Sequence, residues 1–303
     1  MGNGFNNRES KLIMKKFLCA LLLVLILCAG SYAGERRVLR LGLLSKLNST
    51  EEMFTETWKK KFAPNNENLE VRIKFYDTLT AMQMALETRD IANMVLPNAV
   101  AEYVLNQNKG YESILVLHSD NMGLAFGFRE DSKELCGKFN EALRVMRNNW
   151  ILQTIEGMYT TSPGTEEPDP VEFEHFDGAD TIRVAVTGDL PPIDYVAADG
   201  TPAGFNTAVL AEIGAYLKKN IQLVGVETGA RTAALASGRA DVVFWYEVDT
   251  SKKIQDDAPE GVILSEPYYT WDKFVHIRKV PGGKSRSENW DVKRDILRIY
   301  RTY

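Results

Sequence analysis

Largely apolar strand patterns in the second half of the chain constrain its fold most. Residues 182–187 and 242–245 are short runs dominated by Val, Ile and Phe, which is typical of strands buried on both faces of a sheet. Helix patterns separate the two runs, and the clearest has apolar residues at 209, 210, 213 and 217. Strands that alternate with helices predict a largely parallel sheet covered by helices.

The first half of the chain has the same order of elements. Strands are predicted at 39–44, 69–75, 91–96, 114–117 and 124–128, and a long helix with a break near Asn148 at 132–155. We therefore predict an α/β fold of two similar units, each a largely parallel sheet flanked by helices, at 37–159 and 181–303. Between them, residues 161–180 hold seven acidic residues, three prolines and no Lys or Arg. This composition predicts a solvated linker over 160–180.

The amino terminus predicts export. Lys15 and Lys16 precede an apolar run at 17–27, and small residues at 31 and 33 follow. These features are typical of a cleavable signal peptide over residues 1–33, and a periplasmic location is expected. The run is short for a membrane anchor, and a lipid anchor at Cys28 is left open. The mature chain would keep only Cys136, so no internal disulfide is expected.

Candidate ligand-binding residues follow the predicted strands, because ligands on such sheets sit beyond the carboxyl ends of the strands. A stretch of turn residues follows the strand at 182–187, a helix that Asn206 could cap comes next, and an aromatic pair follows the strand at 242–245. A strand-end turn, simple helix capping and core packing are the structural alternatives for these three places. The residues predicted to bind the ligand are Asp189, Tyr195, Asn206, Trp245, Tyr246 and Glu247.

The ordered series of elements over 181–279 resembles family 3 of the bacterial extracellular solute-binding proteins, the type that serves polar amino acid importers. The resemblance implies a two-lobed, periplasmic-binding-protein-like fold. Family members continue into a whole inserted second lobe, but no such insertion follows Lys279, so the first half of this chain is expected to serve as the opposing lobe instead. It also adds Lys253 to the ligand-binding set, at the approximate place of a family arginine that grips an α-carboxylate. This chain departs from the family pattern at Leu190, where an aromatic residue is usual, and at Asn206, where an acid is usual.

The expected function is therefore capture of a small polar solute, an amino acid or an amine-like compound, for the membrane permease of an ABC-type importer. A sensor or partner-binding module of the same fold is the first alternative, and a dehydratase-like enzyme is the second. A net charge of -5 argues against a nucleic-acid partner. We expect no enzymatic activity, cofactor or metal, and a monomer.

Overall fold

The computed structural model describes residues 37–45, 50–62, 69–161, 163–165, 170–196, 200–250 and 260–280. The predicted signal peptide at 1–33 and Lys253 lie outside the described residues. The backbone of the strand that carries Trp245, Tyr246 and Glu247 is described, but their side chains are not.

Strands and helices alternate along most of the chain. The strands are β1 Arg37–Leu44, β2 Leu69–Tyr76, β3 Asn93–Pro97, β4 Tyr111–Arg129, β5 Thr181–Val186, β6 Asp189–Leu190, β7 Asp194–Val196, β8 Pro202–Ala203, β9 Asn220–Gly225, β10 Val242–Asp249, β11 Val262–Leu264 and β12 Tyr269–Lys279. The helices are α1 Glu51–Phe62, α2 Leu79–Glu87, α3 Asn98–Gln107, α4 Lys133–Asn148, α5 Ile151–Thr160, α6 Phe205–Leu217 and α7 Arg231–Ala236, with a 3₁₀ turn at Thr228–Ala230.

Nine of the described strands form one mixed sheet in the order β2-β1-β3-β12-β4-β10-β5-β9, with β11 paired to β4. Parallel pairs lie at both ends of this sheet: β1 with β2 and β3, and β5 with β9 and β10. We call β1, β2 and β3 the first strand group and β5, β9 and β10 the second strand group. The pairs at the centre, made by β4 and β12, are antiparallel. The predicted α/β class is confirmed, with antiparallel pairing added at the centre.

Two long strands connect the strand groups. Tyr111 to His118 of β4 pair with Lys279 to Lys273 of β12, beside β3 of the first group. Farther along, Met122 to Phe128 of β4 pair with β10 of the second group. The register between β4 and β12 shifts between Trp271 and Lys273, where the pair passes from one group to the other. The two separate strands predicted at 114–117 and 124–128 are thus one continuous strand.

The two units predicted from the sequence are joined more closely than a linker would imply. They share the one sheet, and α4 and α5, predicted as part of the first unit, pack against α6 of the second. Val171 and Phe173 of the predicted solvated linker pack against the main core, and the Val171 amide donates to Pro202 O at 2.8 Å. The sheet is therefore not divided at 160–180, and the unit boundaries remain a prediction.

The core lies on both faces of the sheet because side chains alternate along each strand. On β4, Phe126 and Phe128 face the main cluster under α2 to α6, whereas Ala125 faces a smaller cluster under α7. A third cluster, built on Leu41 and Trp58, lies under α1. The predicted helix break is confirmed, since α4 ends at Asn148 and Trp150 has a φ of 63° before α5. No helix among the described residues is both long and apolar enough to cross a bilayer.

Candidate functional site

The loops that follow the parallel strands of the two groups meet each other, and we call this place the junction. The amide of Leu79, after β2, donates to Asp189 Oδ2, after β5, at 3.0 Å. The hydroxyl of Thr228, after β9, donates to Asp77 O at 2.8 Å. Because both strand groups direct their carboxyl ends to the junction, it is the place where this type of sheet binds ligands.

A buried carboxylate shapes the loop that carries Asp189. Asp194 is 1% exposed and accepts from the Thr187 amide at 3.0 Å, the Thr187 hydroxyl at 2.8 Å and the Gly188 amide at 3.1 Å. These bonds close the β6–β7 hairpin over the end of β5. Gly188 has a φ of 72°, and a Cβ added there would lie 2.9 Å from Val196 Cγ2, so glycine suits this turn. The hairpin therefore holds Asp189 at a defined position.

The environment of Asp189 favours its neutral form. The pKa of Asp189 is raised from 3.8 to about 6. Burial is the largest cause and the nearby Asp194 acts in the same direction, whereas hydrogen bonds from the amides of Leu79 and Thr80 act in the opposite direction. Tyr195 is half-buried, and its backbone is paired with that of Asp189 across the hairpin. The structure thus brings two predicted site residues, Asp189 and Tyr195, together at the junction.

Arg231 is a buried residue at this end of the sheet that sequence reasoning missed. It is 3% exposed, and its guanidinium donates to Thr228 O and Phe244 O, both at 3.1 Å. Burial raises the pKa of Asp194, and the positive charge of Arg231 acts in the opposite direction. The available sequence signal was a lone arginine at the start of a short apolar helix. The guanidinium ties the loop after β9 to β10 and compensates part of the negative charge below the hairpin.

Asn206 does not cap its helix as predicted. The N-cap of α6 is Gly204, and Asn206 is the second helical residue and fully buried. Its side-chain oxygen accepts from the Tyr268 hydroxyl at 3.0 Å, and the backbone amide donates to Ile193 O at 2.9 Å. The first bond joins the start of α6 to the segment before β12, and the second joins it to the hairpin. A direct ligand contact by Asn206 stays a prediction.

Trp245, Tyr246 and Glu247 lie on the part of β10 that continues past the end of β5, because Val242 and Val243 are opposite Val184 and Ala185. Val243 is opposite Gly127 of β4, but Tyr246 is opposite Ala125. Three steps along β10 thus match two along β4, which is a β-bulge. Bulges often re-aim side chains next to functional sites. The backbone of these three predicted residues therefore reaches the level of the hairpin, and their contact with a ligand stays a prediction.

Metal chemistry has no evident ligand set in this part of the protein. Among the described residues, no three or more His, Cys, Asp or Glu side chains are grouped as they would be to hold a metal ion. The carboxylates of Asp189 and Asp194 both accept hydrogen bonds from backbone amides, and that of Asp194 also accepts one from the Thr187 hydroxyl. The geometry at the junction is that of a hydrogen-bonding site between two sets of strand-end loops.

In open α/β sheets, ligands bind beyond the carboxyl ends of the strands. In this mixed sheet, two sets of such strand ends meet at the polar junction. Residues 182–285 match the family described as bacterial extracellular solute-binding proteins, family 3. The match covers about a third of the chain and includes the hairpin, Arg231 and β10. The predicted family resemblance is therefore confirmed over this segment. No curated protein sequence matches the chain.

Solved structures with a related arrangement include binding proteins and a regulator. The ligand-binding component of an ABC-type import system from Staphylococcus aureus, with zinc bound, is 13% identical, covers 86% of this chain and 70% of its own, and has a TM-score of 0.40. The alkanesulfonate-binding protein SsuA from Xanthomonas axonopodis pv. citri bound to MOPS is 10% identical, with coverages of 88% and 72% and a TM-score of 0.39. A putative LysR family transcriptional regulator from Pseudomonas aeruginosa is 10% identical, with coverages of 91% and 77% and a TM-score of 0.43. At these scores the likenesses carry no inference about a ligand.

Proposed function

We propose that this protein is an exported solute-binding protein that captures a small polar solute at the junction for the permease of an ABC-type importer. The observation that carries the proposal is the family 3 match over 182–285, because that segment supplies one whole side of the junction. On that side it contributes Asp189, Thr228 and the end of β10. Binding without catalysis, in the periplasm, follows from the same proposal.

The two long central strands support an opening and closing motion. β4 and β12 both run between the strand groups, and their register shifts at the crossing. Hinges are commonly a few residues that absorb a change of backbone angles. In this proposal the strand groups rotate relative to each other about the crossing at 118–122 and 271–273. The solute enters when the two sides of the junction are separated.

The charges at the junction favour a neutral polar or cationic solute. Asp189 is the half-buried acid at the contact between the groups, whereas the positive charge of the buried Arg231 is directed to backbone carbonyls and Asp194. Desolvating Asp189 raises its pKa, so a cation beside it would offset the cost of the buried charge. An amine or an amino acid with a basic side chain fits this balance better than a dicarboxylate.

A thermal-shift screen of amino acids, amines and small peptides tests the proposal. Closing on a solute at a hundredfold excess over its dissociation constant should stabilise the fold by about 2.7 kcal/mol. Trp245→Ala should abolish the shift and leave the melting temperature without solute nearly unchanged. Trp150→Ala is the matched control, since Trp150 is 71% exposed at the start of α5 and should keep the shift.

Two results would count against this function. A fall of several degrees in the unliganded melting temperature of Trp245→Ala would place Trp245 in the core and displace the binding site from the end of β10. A wild-type protein that no compound of a broad screen stabilises would favour the sensing or partner-binding function. Turnover of a screened compound would instead favour the dehydratase-like alternative.

A further inference from the structure

We propose that Asp189 is a proton-operated latch that docks the second strand group on the amino terminus of α2 in the first. Asp189 lies on β6 and accepts a hydrogen bond from the amide of Leu79. Leu79 is the first residue of α2 and lies 110 positions earlier in the chain. The proposal rests on the proposed function, because the latch would set how readily the solute-binding junction closes. It adds regulation by pH to a binding site.

The helix end that receives Asp189 is already capped from its own side. Thr78 is the N-cap of α2, and its hydroxyl oxygen accepts from the Ala81 amide at 3.1 Å. The Leu79 amide has no partner within its own helix, because a helical amide donates to a carbonyl four residues earlier and no helical turn precedes the first residue. Asp189 therefore satisfies a donor that the local cap leaves open, and it does so from the other strand group.

A second bond at the same place does not depend on protonation. The hydroxyl of Thr228 donates to Asp77 O at 2.8 Å, two residues before the amide that Asp189 accepts. The Asp77 carboxylate is directed elsewhere, since it accepts from the Ser45 hydroxyl at 2.7 Å. The latch thus consists of one titratable contact, Asp189 to Leu79, and one neutral contact, Thr228 to Asp77.

Within the part of the chain that the structure describes, two charged groups act on Asp189 directly or through a neighbour. Asp194 of β7 raises the pKa of Asp189, and the positive charge of Arg231 of α7 lowers the pKa of Asp194. The loop before α2 contributes Asp77, and the first turn of α2 carries no acid. Hydrogen bonds from the amides of Leu79 and Thr80 lower the pKa of Asp189, but burial prevails and sets it at about 6.

The sign of the pH dependence follows from this balance. Burial is the largest cause that raises the pKa of the docked Asp189 from the ordinary value of 3.8 to about 6, and in this proposal undocking returns the carboxyl to water and to its ordinary pKa. Lowering the pH through 6 therefore favours the docked form, whereas at neutral pH the docked form must bury a charge. Between pH 7.5 and pH 5 the docked population relative to the undocked one should rise about tenfold.

Hydrogen–deuterium exchange of the full-length protein, without solute, tests the latch. The readout is the protection of peptides covering 77–82, corrected for the intrinsic exchange rate at each pH. The wild type should gain about tenfold protection from pH 7.5 to pH 5. Asp189→Asn should be protected at both pH values without a pH dependence, because an amide oxygen still accepts from Leu79 and carries no charge.

Two further variants separate the contributions. Thr228→Val should lower protection by the same factor at every pH, since it removes only the neutral contact. Asp180→Asn is the matched control, because Asp180 is an exposed acid paired with Lys219, and it should follow the wild type. If wild-type protection at 77–82 is unchanged across this range, or falls toward pH 5, the latch is wrong. Because the assay contains no solute, its result can be interpreted even if the solute screen finds no ligand.

Discussion

Asp189, which is half-buried, and His276, which is fully buried, are titratable side chains that respond to acid in opposite ways. Burial raises the pKa of Asp189 to about 6 and lowers the pKa of His276 to about 4, because a buried site disfavours the charged form of either group. His276 is 1% exposed on β12 opposite Val95 and Leu115. Neither of its ring nitrogens has a hydrogen-bond partner among the described residues. The folded protein therefore keeps His276 neutral where an unfolded chain would protonate it.

This difference predicts an acid sensitivity that one substitution removes. Unfolded His276 takes up a proton below pH 6.5, but folded His276 does so only near pH 4, so the free energy of unfolding falls as the pH drops through that window. Between pH 7.5 and pH 5 the loss due to His276 should be about 2 kcal/mol. His276→Leu should be at least as stable as the wild type at pH 7.5 and should lose about 2 kcal/mol less on acidification, as measured by urea unfolding.

The comparison with the wild type also isolates His276 from Asp189, whose opposite contribution is present in both proteins. His175→Gln serves as the control, since the His175 side chain is exposed, and it should show the wild-type pH dependence. An acid sensitivity that persists unchanged in His276→Leu would mean that another group causes it.

At the scale of elements, α2 is the helix on which the junction depends. Its N-cap, Thr78, directs the first turn so that the Leu79 amide meets Asp189. N-cap side chains typically stabilise a protein by about 1 kcal/mol. A weaker cap should also loosen the latch, because both contacts use the same turn.

Thr78→Ala should accordingly lower the free energy of unfolding by about 1 kcal/mol in urea denaturation. Thr80→Ala, in the same turn but on an exposed residue, should change stability by less than about 0.5 kcal/mol. Equal losses in the two variants would show that the cap contributes nothing specific. A change confined to Thr78→Ala would tie stability to the turn that receives Asp189.

At the scale of the whole molecule, the strand groups are joined through the centre of the sheet. β4 pairs with β12 over most of the length of β12 and also with β10. The chain between α5 and β5 lies outside this sheet, and Glu172 and Glu174 in it are exposed. A cut in that segment would leave every pairing of the central strands intact.

Limited digestion with a protease that cleaves after glutamate should therefore cut first within 161–180. The two fragments should separate on a denaturing gel but elute as one particle from a native sizing column, since large buried contacts hold them together. Early cleavage within 37–159 would argue against the linker as the exposed segment. Separate elution of the fragments would contradict the shared sheet.

The sequence alone determined the local structure of most elements and indicated the family resemblance over 181–279. Largely apolar runs marked β5 and the start of β10, and the spacing of Val209, Leu210 and Ile213 marked α6, because side-chain periodicity reports which faces of an element are buried. Asp189 was found by its position after a strand. The break after Asn148 was also predictable from local composition.

Tertiary structure alone decided which elements meet. The insertion of β12 between β3 and β4, the docking of Asp189 on α2 and the burial of Arg231 all join residues far apart in the chain. Periodicity within one element contains no information about such partners. They are selected by the need to bury apolar faces on both sides of one sheet and to pair every polar group that is buried with them.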